Sequence, residues 1–202
     1  IVTPLKAKDT NSAVVAGSGG KKSGKKKNKQ DEGKKDLKDI QKRISLAAQG
    51  LASGLLERGS AVCDQFLAPE LVHAVREEIL KLEPHYKNSE IWVGKDSEVG
   101  AQITVPRVRG DKVLWVDSNS IAQSKMQATS NMLESLDRLV LHELKMKVPH
   151  LRRIKDRTDP MLAIYPGGGS RFQRHIDNTA RDGRILTVLC YLNESWDEEN
   201  GD

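Results

Sequence analysis

The sequence predicts an α+β fold on three observations. Apolar residues recur at helical spacing as far as residue 147, β-like runs follow Pro149, and strong turn sequences separate those runs. Helices first and strands afterwards point to helices packed against a sheet or barrel rather than alternating βαβ units.

The elements follow in order. Leu37, Ile40, Ile44, Ala47, Leu51 and Leu55 recur at three- and four-residue spacing, which predicts an amphipathic helix from Asp36 to about Gly59. Residues 60–66 (SAVCDQF) read as a short strand. A helix over 67–82 has Pro69 in its first turn and an apolar face at Leu71, Val72, Val75, Ile79 and Leu82. Ile91–Val93 and Lys112–Val116 suit strands, and 121–147 reads as one long helix. The runs 161–165 (MLAIY), 171–176 (RFQRHI) and 184–192 (RILTVLCYL) then predict strands, divided by PGGGS and DNTARDG turns.

Charge is unevenly spread. Residues 1–35 hold ten lysines against three acidic residues, a local +7. Of the chain's 33 basic and 28 acidic residues, that leaves 23 and 25, a net −2. The basic character therefore belongs to one end, which excludes reading the whole chain as a basic nucleic-acid-binding domain. Residues 1–36 are rich in Lys, Gly, Ser and Asn, bury too little apolar surface to offset ordering entropy, and are expected to be a disordered Lys-rich tail. Residues 37–202 are the expected domain. The tail suits nuclear targeting or weak polyanion contact, or simply solubility, since no aromatic side chain interleaves its lysines. Cys63 and Cys190 form no metal-binding spacing and read as free thiols of a reducing compartment. No apolar run approaches about 18 residues, so no membrane span is expected and the location expected is cytoplasmic or nuclear.

Four histidines (His73, His85, His142, His150) have no ligating neighbour pattern and read as structural or solvated. His175-Ile176-Asp177 differs. On an extended segment, residues i and i+2 point to the same side, so an imidazole and a carboxylate could occupy adjacent positions of one metal ion. Alone that pair is a weak signal. The Gly167–Gly169 run lacks the following Lys-Ser/Thr of a phosphate loop. A Ser/His/Asp hydrolase has no nucleophile elbow here.

The surroundings add weight. The stretch 161–178, MLAIYPGGGSRFQRHIDN, resembles the 2-oxoglutarate- and Fe(II)-dependent prolyl hydroxylases that act on intracellular proteins, the hypoxia-sensing enzymes among them. DGR at 182–184, YLNESWD at 191–197, GSAVCDQFL at 59–67 and RGDKVLW at 109–115 extend the likeness in order and spacing.

The resemblance implies a double-stranded β-helix, or jelly-roll, behind N-terminal helices, of which this chain carries the first part. It implies His175 and Asp177 as two iron ligands, and Tyr165 as the hydroxyl near the chelating end of 2-oxoglutarate. Tyr191 would help hold its far carboxylate, with Met161 and Leu189 as apolar wall. Arg184, Arg109 and Asp111 fall where the family meets its peptide. Phe172 stands where the animal sensors tend to carry a tyrosine.

The implied activity is a procollagen-proline-4-dioxygenase-like hydroxylation of prolyl residues in a protein substrate. Fe(II), 2-oxoglutarate and O₂ take part, with ascorbate as supporting reductant. No His and no further Arg follow His175 and Arg184, so the third ligand and the carboxylate anchor have no counterpart. The chain is therefore expected to be C-terminally truncated and inactive by itself. A metal-free binding module of the same fold, or a polyanion-binding protein led by the tail, are the other readings.

Overall fold

The computed structural model describes residues 2–4, 26–96, 99–123, 125–177 and 183–193. Most of the expected tail, the turn at 178–182 and the segment 194–202 lie outside these residues.

Helix α1 (Lys26–Arg58) starts ten residues before the point where apolar periodicity begins. Part of the segment expected to lack structure is thus helical, and Val2–Pro4 forms a strand, β1. Lys, Gln and Glu are good helix formers, so a helix nucleated by the packed 44–52 stretch extends into them at little cost. Ile44, Ala48 and Ala52 are buried on its inner face. The helix ends where the Gly59 N–H bonds back to Leu55 O at 3.1 Å.

Residues 60–66 form no strand. They run as turns with Gln65 at φ 54°, a conformation that a strand does not admit. Helix α2 (Pro69–Leu80) begins at its proline after an extended Ala68, and it buries Val75 and Ile79.

The long helix expected over 121–147 is broken. Asp117 accepts from the backbone N–H groups of Asn119 and Ser120 at 2.9 and 3.0 Å and so caps a short α3 (Ser118–Gln123). Lys125 then takes a left-handed φ of 55°. The next helix, α4 (Gln127–Asp137), has its N-terminus capped from another element: Glu78 of α2 accepts from Ala128 N at 2.8 Å, Thr129 N at 2.7 Å and Thr129 Oγ1 at 2.7 Å. A wider, π-type turn runs over Arg138–Leu144 into α5 (Lys145–Lys147), and Pro149–Arg153 follows as a 3₁₀ turn.

A four-stranded sheet has the order β1-β6-β5-β2, with β2 (Lys87–Asn88), β5 (Lys112–Trp115) and β6 (Met161–Tyr165). Strands β5 and β6 are antiparallel, from Lys112↔Ile164 to Trp115↔Met161, whereas β1 lies parallel to β6. A separate hairpin joins β3 (Ile91–Asp96) and β4 (Val99–Ile103).

Two apolar clusters hold these parts. Val75 and Ile79 of α2, Met132 and Leu133 of α4, Leu162 and Ile164 of β6, Val116 and Leu192 form the larger. Ile44, Ala48 and Ala52 of α1 pack with Leu139, Leu144, Val148 and Leu151 in the other. Residues of α2, α4 and β6 thus share one apolar cluster.

The strands expected at 171–176 and 184–192 are absent as ladders among the described residues. Phe172 makes one isolated antiparallel bridge to Arg109, and 184–190 is irregular. No helix among the described residues is long and apolar enough to cross a membrane.

Candidate functional site

Strand β6 is the foundation. Leu162, Ala163 and Ile164 are buried, while Met161 and Tyr165 at its ends are only partly so. The chain must reverse immediately after Tyr165. Gly167, Gly168 and Gly169 do this with φ of 82°, 64° and 78°, three successive left-handed residues that side chains would disfavour. The returning segment 170–173 docks on the 106–110 loop. Gly110 N bonds to Arg171 O at 2.9 Å and Gln173 N to Val108 O at 2.9 Å. A Cβ at Gly110 would stand 3.2 Å from Pro106 O and 3.4 Å from Ser170, so glycine permits this approach.

That docking delivers His175 and Asp177. The segment carrying them is not a strand, yet both side chains fall on one side while Ile176 between them is exposed. His175 Nε2 and Asp177 Oδ1 are 2.9 Å apart. The outer atom of each is already held. His175 Nδ1 lies 2.8 Å from Gln173 O, and because a carbonyl oxygen only accepts, that nitrogen is the N–H donor. The Thr187 hydroxyl donates to Asp177 Oδ2 at 2.6 Å. This hydroxyl holds the Asp177 carboxyl below the usual aspartate range; partial burial opposes it and His175 assists.

The donor set fits two adjacent positions of a divalent metal. Metal–ligand bonds of about 2.1 Å at right angles put neighbouring donors about 3 Å apart, the separation found here. No group of three His, Cys, Asp or Glu side chains suited to a metal occurs among the described residues.

A cleft of about 1470 Å³ opens beside the pair, lined by Met161, Tyr165, His175, Asp177, Arg184, Leu189, Tyr191 and Arg109 among others. Eight of the nine sequence-predicted site residues thus share one cavity. Tyr165 is half-buried, and its phenol is pushed up by burial first and by the Asp111 carboxylate second. It therefore remains a hydroxyl donor at neutral pH. Leu189 and Tyr191 are exposed at the open side of the cleft. Cys190 between them is a partly buried thiol whose ionisation burial disfavours.

Asp111 does not face the cleft mouth, where a peptide-binding role had been expected. Its side chain is fully enclosed and its carboxylate is engaged on every side. Arg109 Nε and Nη2 donate to Oδ1 at 2.9 Å and Oδ2 at 3.1 Å, and Ser89 Oγ donates at 2.7 Å. Arg109 is committed to that bidentate pair, and its Nη2 also reaches Met161 Sδ at 3.4 Å.

Sequence reasoning missed Thr187, Gln173 and Ser89 as supports. Each acts across a fold-back that no local pattern encodes. The only hint was that Thr187 is a lone hydroxyl inside an apolar run.

Residues 160–202 match the 2OG-Fe(II) oxygenase superfamily. The chain is 31% identical over 157 residues to the hypoxia-inducible factor prolyl hydroxylase of Caenorhabditis elegans, covering 77% of this chain and 21% of that protein. It is 32% identical over 152 residues to the prolyl hydroxylase EGLN3 of Rattus norvegicus, covering 75% of this chain and 60% of that one. The chain spans between about a fifth and three fifths of these relatives' length. Among solved structures, a Trichoplax adhaerens prolyl hydroxylase in complex with a hypoxia inducible factor oxygen degradation domain peptide fragment superposes with a TM-score of 0.60. The identity is 29%, over 80% of this chain and 68% of that one. The mixed helix-and-sheet architecture is similar to that of this Trichoplax adhaerens prolyl hydroxylase.

Proposed function

We propose that this protein is a 2-oxoglutarate- and Fe(II)-dependent dioxygenase that hydroxylates prolyl residues of an intracellular protein in response to oxygen. One observation carries the reading: an imidazole and a carboxylate meet at 2.9 Å with their outer atoms held by Gln173 O and Thr187, inside a cleft that also receives Tyr165 and Tyr191.

His175 and Asp177 would hold the metal, which when bound with 2-oxoglutarate and O₂ supplies the oxidation. The chain's own residues do the rest. The Tyr165 hydroxyl stays protonated and donates to the co-substrate's chelating end, and Tyr191 offers a second phenol at the open side for the far carboxylate. Met161 and Leu189 exclude water from the co-substrate's apolar stem. Arg184 lines the cleft and would orient a peptide carbonyl. Ascorbate would keep the metal reduced between turnovers. Residues 37–202 form the dioxygenase domain and residues 1–36 a Lys-rich arm making weak polyanion contact. The arm would suit a protein of cytoplasm and nucleus.

The natural gene product carrying this sequence, incubated with Fe(II), 2-oxoglutarate, O₂ and a prolyl peptide, should form succinate and a peptide heavier by one oxygen atom. His175→Ala should abolish both. Oxygen incorporation that persists in His175→Ala would refute the assignment.

A further inference from the structure

We propose that Arg109 is a positioning residue for the metal site, acting on His175 through the ring of Phe172. The proposal rests on the reading of His175 as a metal ligand and extends it to the groups that fix the imidazole's plane.

The Phe172 and His175 rings are stacked with centroids 3.6 Å apart and planes inclined by 20°. The guanidinium carbon of Arg109 sits over the same Phe172 ring, 4.5 Å from its centroid. Arg109 and Phe172 are also bridged through their backbones. A lone cation on a ring would be mobile, but this one is not free to swing. Its Nε and Nη2 are both bound to Asp111, whose side chain has no exposed surface and is held in turn by Ser89. A planar guanidinium presents one face while its edge donates two parallel hydrogen bonds; an ammonium does not combine the two.

The chain of support runs from the buried Ser89, next to β2, through Asp111, Arg109 and Phe172 to His175. At His175, the Nδ1 contact with Gln173 O fixes only one axis of the imidazole. Rotation about that axis is what the stack resists, and that rotation decides whether Nε2 stays aimed beside Asp177 Oδ1. Outer partners of a ligating histidine typically change metal affinity by about 10- to 100-fold when removed.

Co(II) serves as the probe in calorimetric titrations of the full chain. Phe172→Tyr, which keeps the ring, should bind within about twofold of the unmodified protein. Arg109→Lys and Phe172→Leu should each weaken Co(II) binding about tenfold. In parallel, the His175 ring-proton resonances, shifted upfield by stacking, should move toward their unstacked positions in Arg109→Lys, where Phe172 itself is untouched. This spectroscopic readout needs no bound metal and no activity.

His175→Ala separates the two layers of the argument. If it loses Co(II) while Arg109→Lys and Phe172→Leu bind as the parent does, the positioning role is overturned and the metal-site reading survives. If His175→Ala binds Co(II) as tightly as the parent, both fall. Unshifted His175 resonances in a folded Arg109→Lys would also overturn the proposal. Should Arg109→Lys fail to fold, Phe172→Leu against Phe172→Tyr decides it.

Discussion

Strand β6 and the segment 184–192 have much the same sequence character and different fates. Both are short runs rich in apolar and β-branched residues. In β6, Leu162 and Ala163 are each 1% exposed, and its backbone is paired to β5 on one side and β1 on the other. In 184–192, Leu192 enters the core, but Val188, Leu189 and Tyr191 are 43%, 55% and 67% exposed. Strand propensity describes a surface that fits a partner, and only β6 has partners on both edges. The segment 184–192, irregular over 184–190, is where the site draws its cleft wall and Thr187, while β6 supplies the floor.

The largest expected effect falls at the joint between the two regions. Asp111 precedes β5 and, through Arg109, supports the segment that brings in His175. Asp111→Ala should destabilise the fold by about 3–5 kcal/mol, because it strands a largely buried guanidinium and the Ser89 hydroxyl. Urea denaturation measures it. A loss under about 1 kcal/mol would mean that the pair is solvated, and the joint dissolves.

The core of the comparison is tested by two deletions of equal chemistry. Leu162→Ala should cost about 2–5 kcal/mol by loss of burial and creation of a cavity. Leu189→Ala, at an exposed position, should change stability by no more than about 0.5 kcal/mol. Equal losses would show that 184–192 is packed as firmly as β6.

A smaller effect marks the helical side, remote from both. Glu143 accepts from Ser45 Oγ at 2.8 Å and from Gln41 Nε2 at 3.1 Å, tying the π-type turn to α1. The Ser45 hydroxyl, ahead of Lys147 and Gln41 and against some desolvation, holds this carboxyl below its ordinary 4.5. A carboxylate with a lowered folded-state value adds stability that is complete above the ordinary value and is lost as pH falls through the folded one. The melting-temperature gap between the parent chain and Ser45→Ala should be steady above about pH 5 and close below 4.5. A gap that widens in acid would contradict the contact.

What was legible in the sequence follows the same division. Helix α2 and strands β5 and β6 were readable because each carries its own period or its own proline. His175 and Asp177 were readable because two residues of spacing sufficed, although the segment that holds them is not the strand expected. The break near Lys125 was not readable. It depends on Glu78, some fifty residues away, capping α4. Nor was the fate of Asp111 readable, since a charged loop residue shows its burial only when Ser89 and Arg109 close around it. Residues 171–176 and 184–192 looked like strands because composition records a side chain's preference and not whether a neighbouring edge is there to meet it.

The most direct test of the central claim, that His175 and Asp177 form a metal site open to 2-oxoglutarate, is a Mn(II) titration of the chain followed by electron paramagnetic resonance. The account predicts one bound ion, tighter binding in the presence of 2-oxoglutarate, and loss of that ion in both His175→Ala and Asp177→Ala. Mn(II) binding that is indifferent to both substitutions would contradict it.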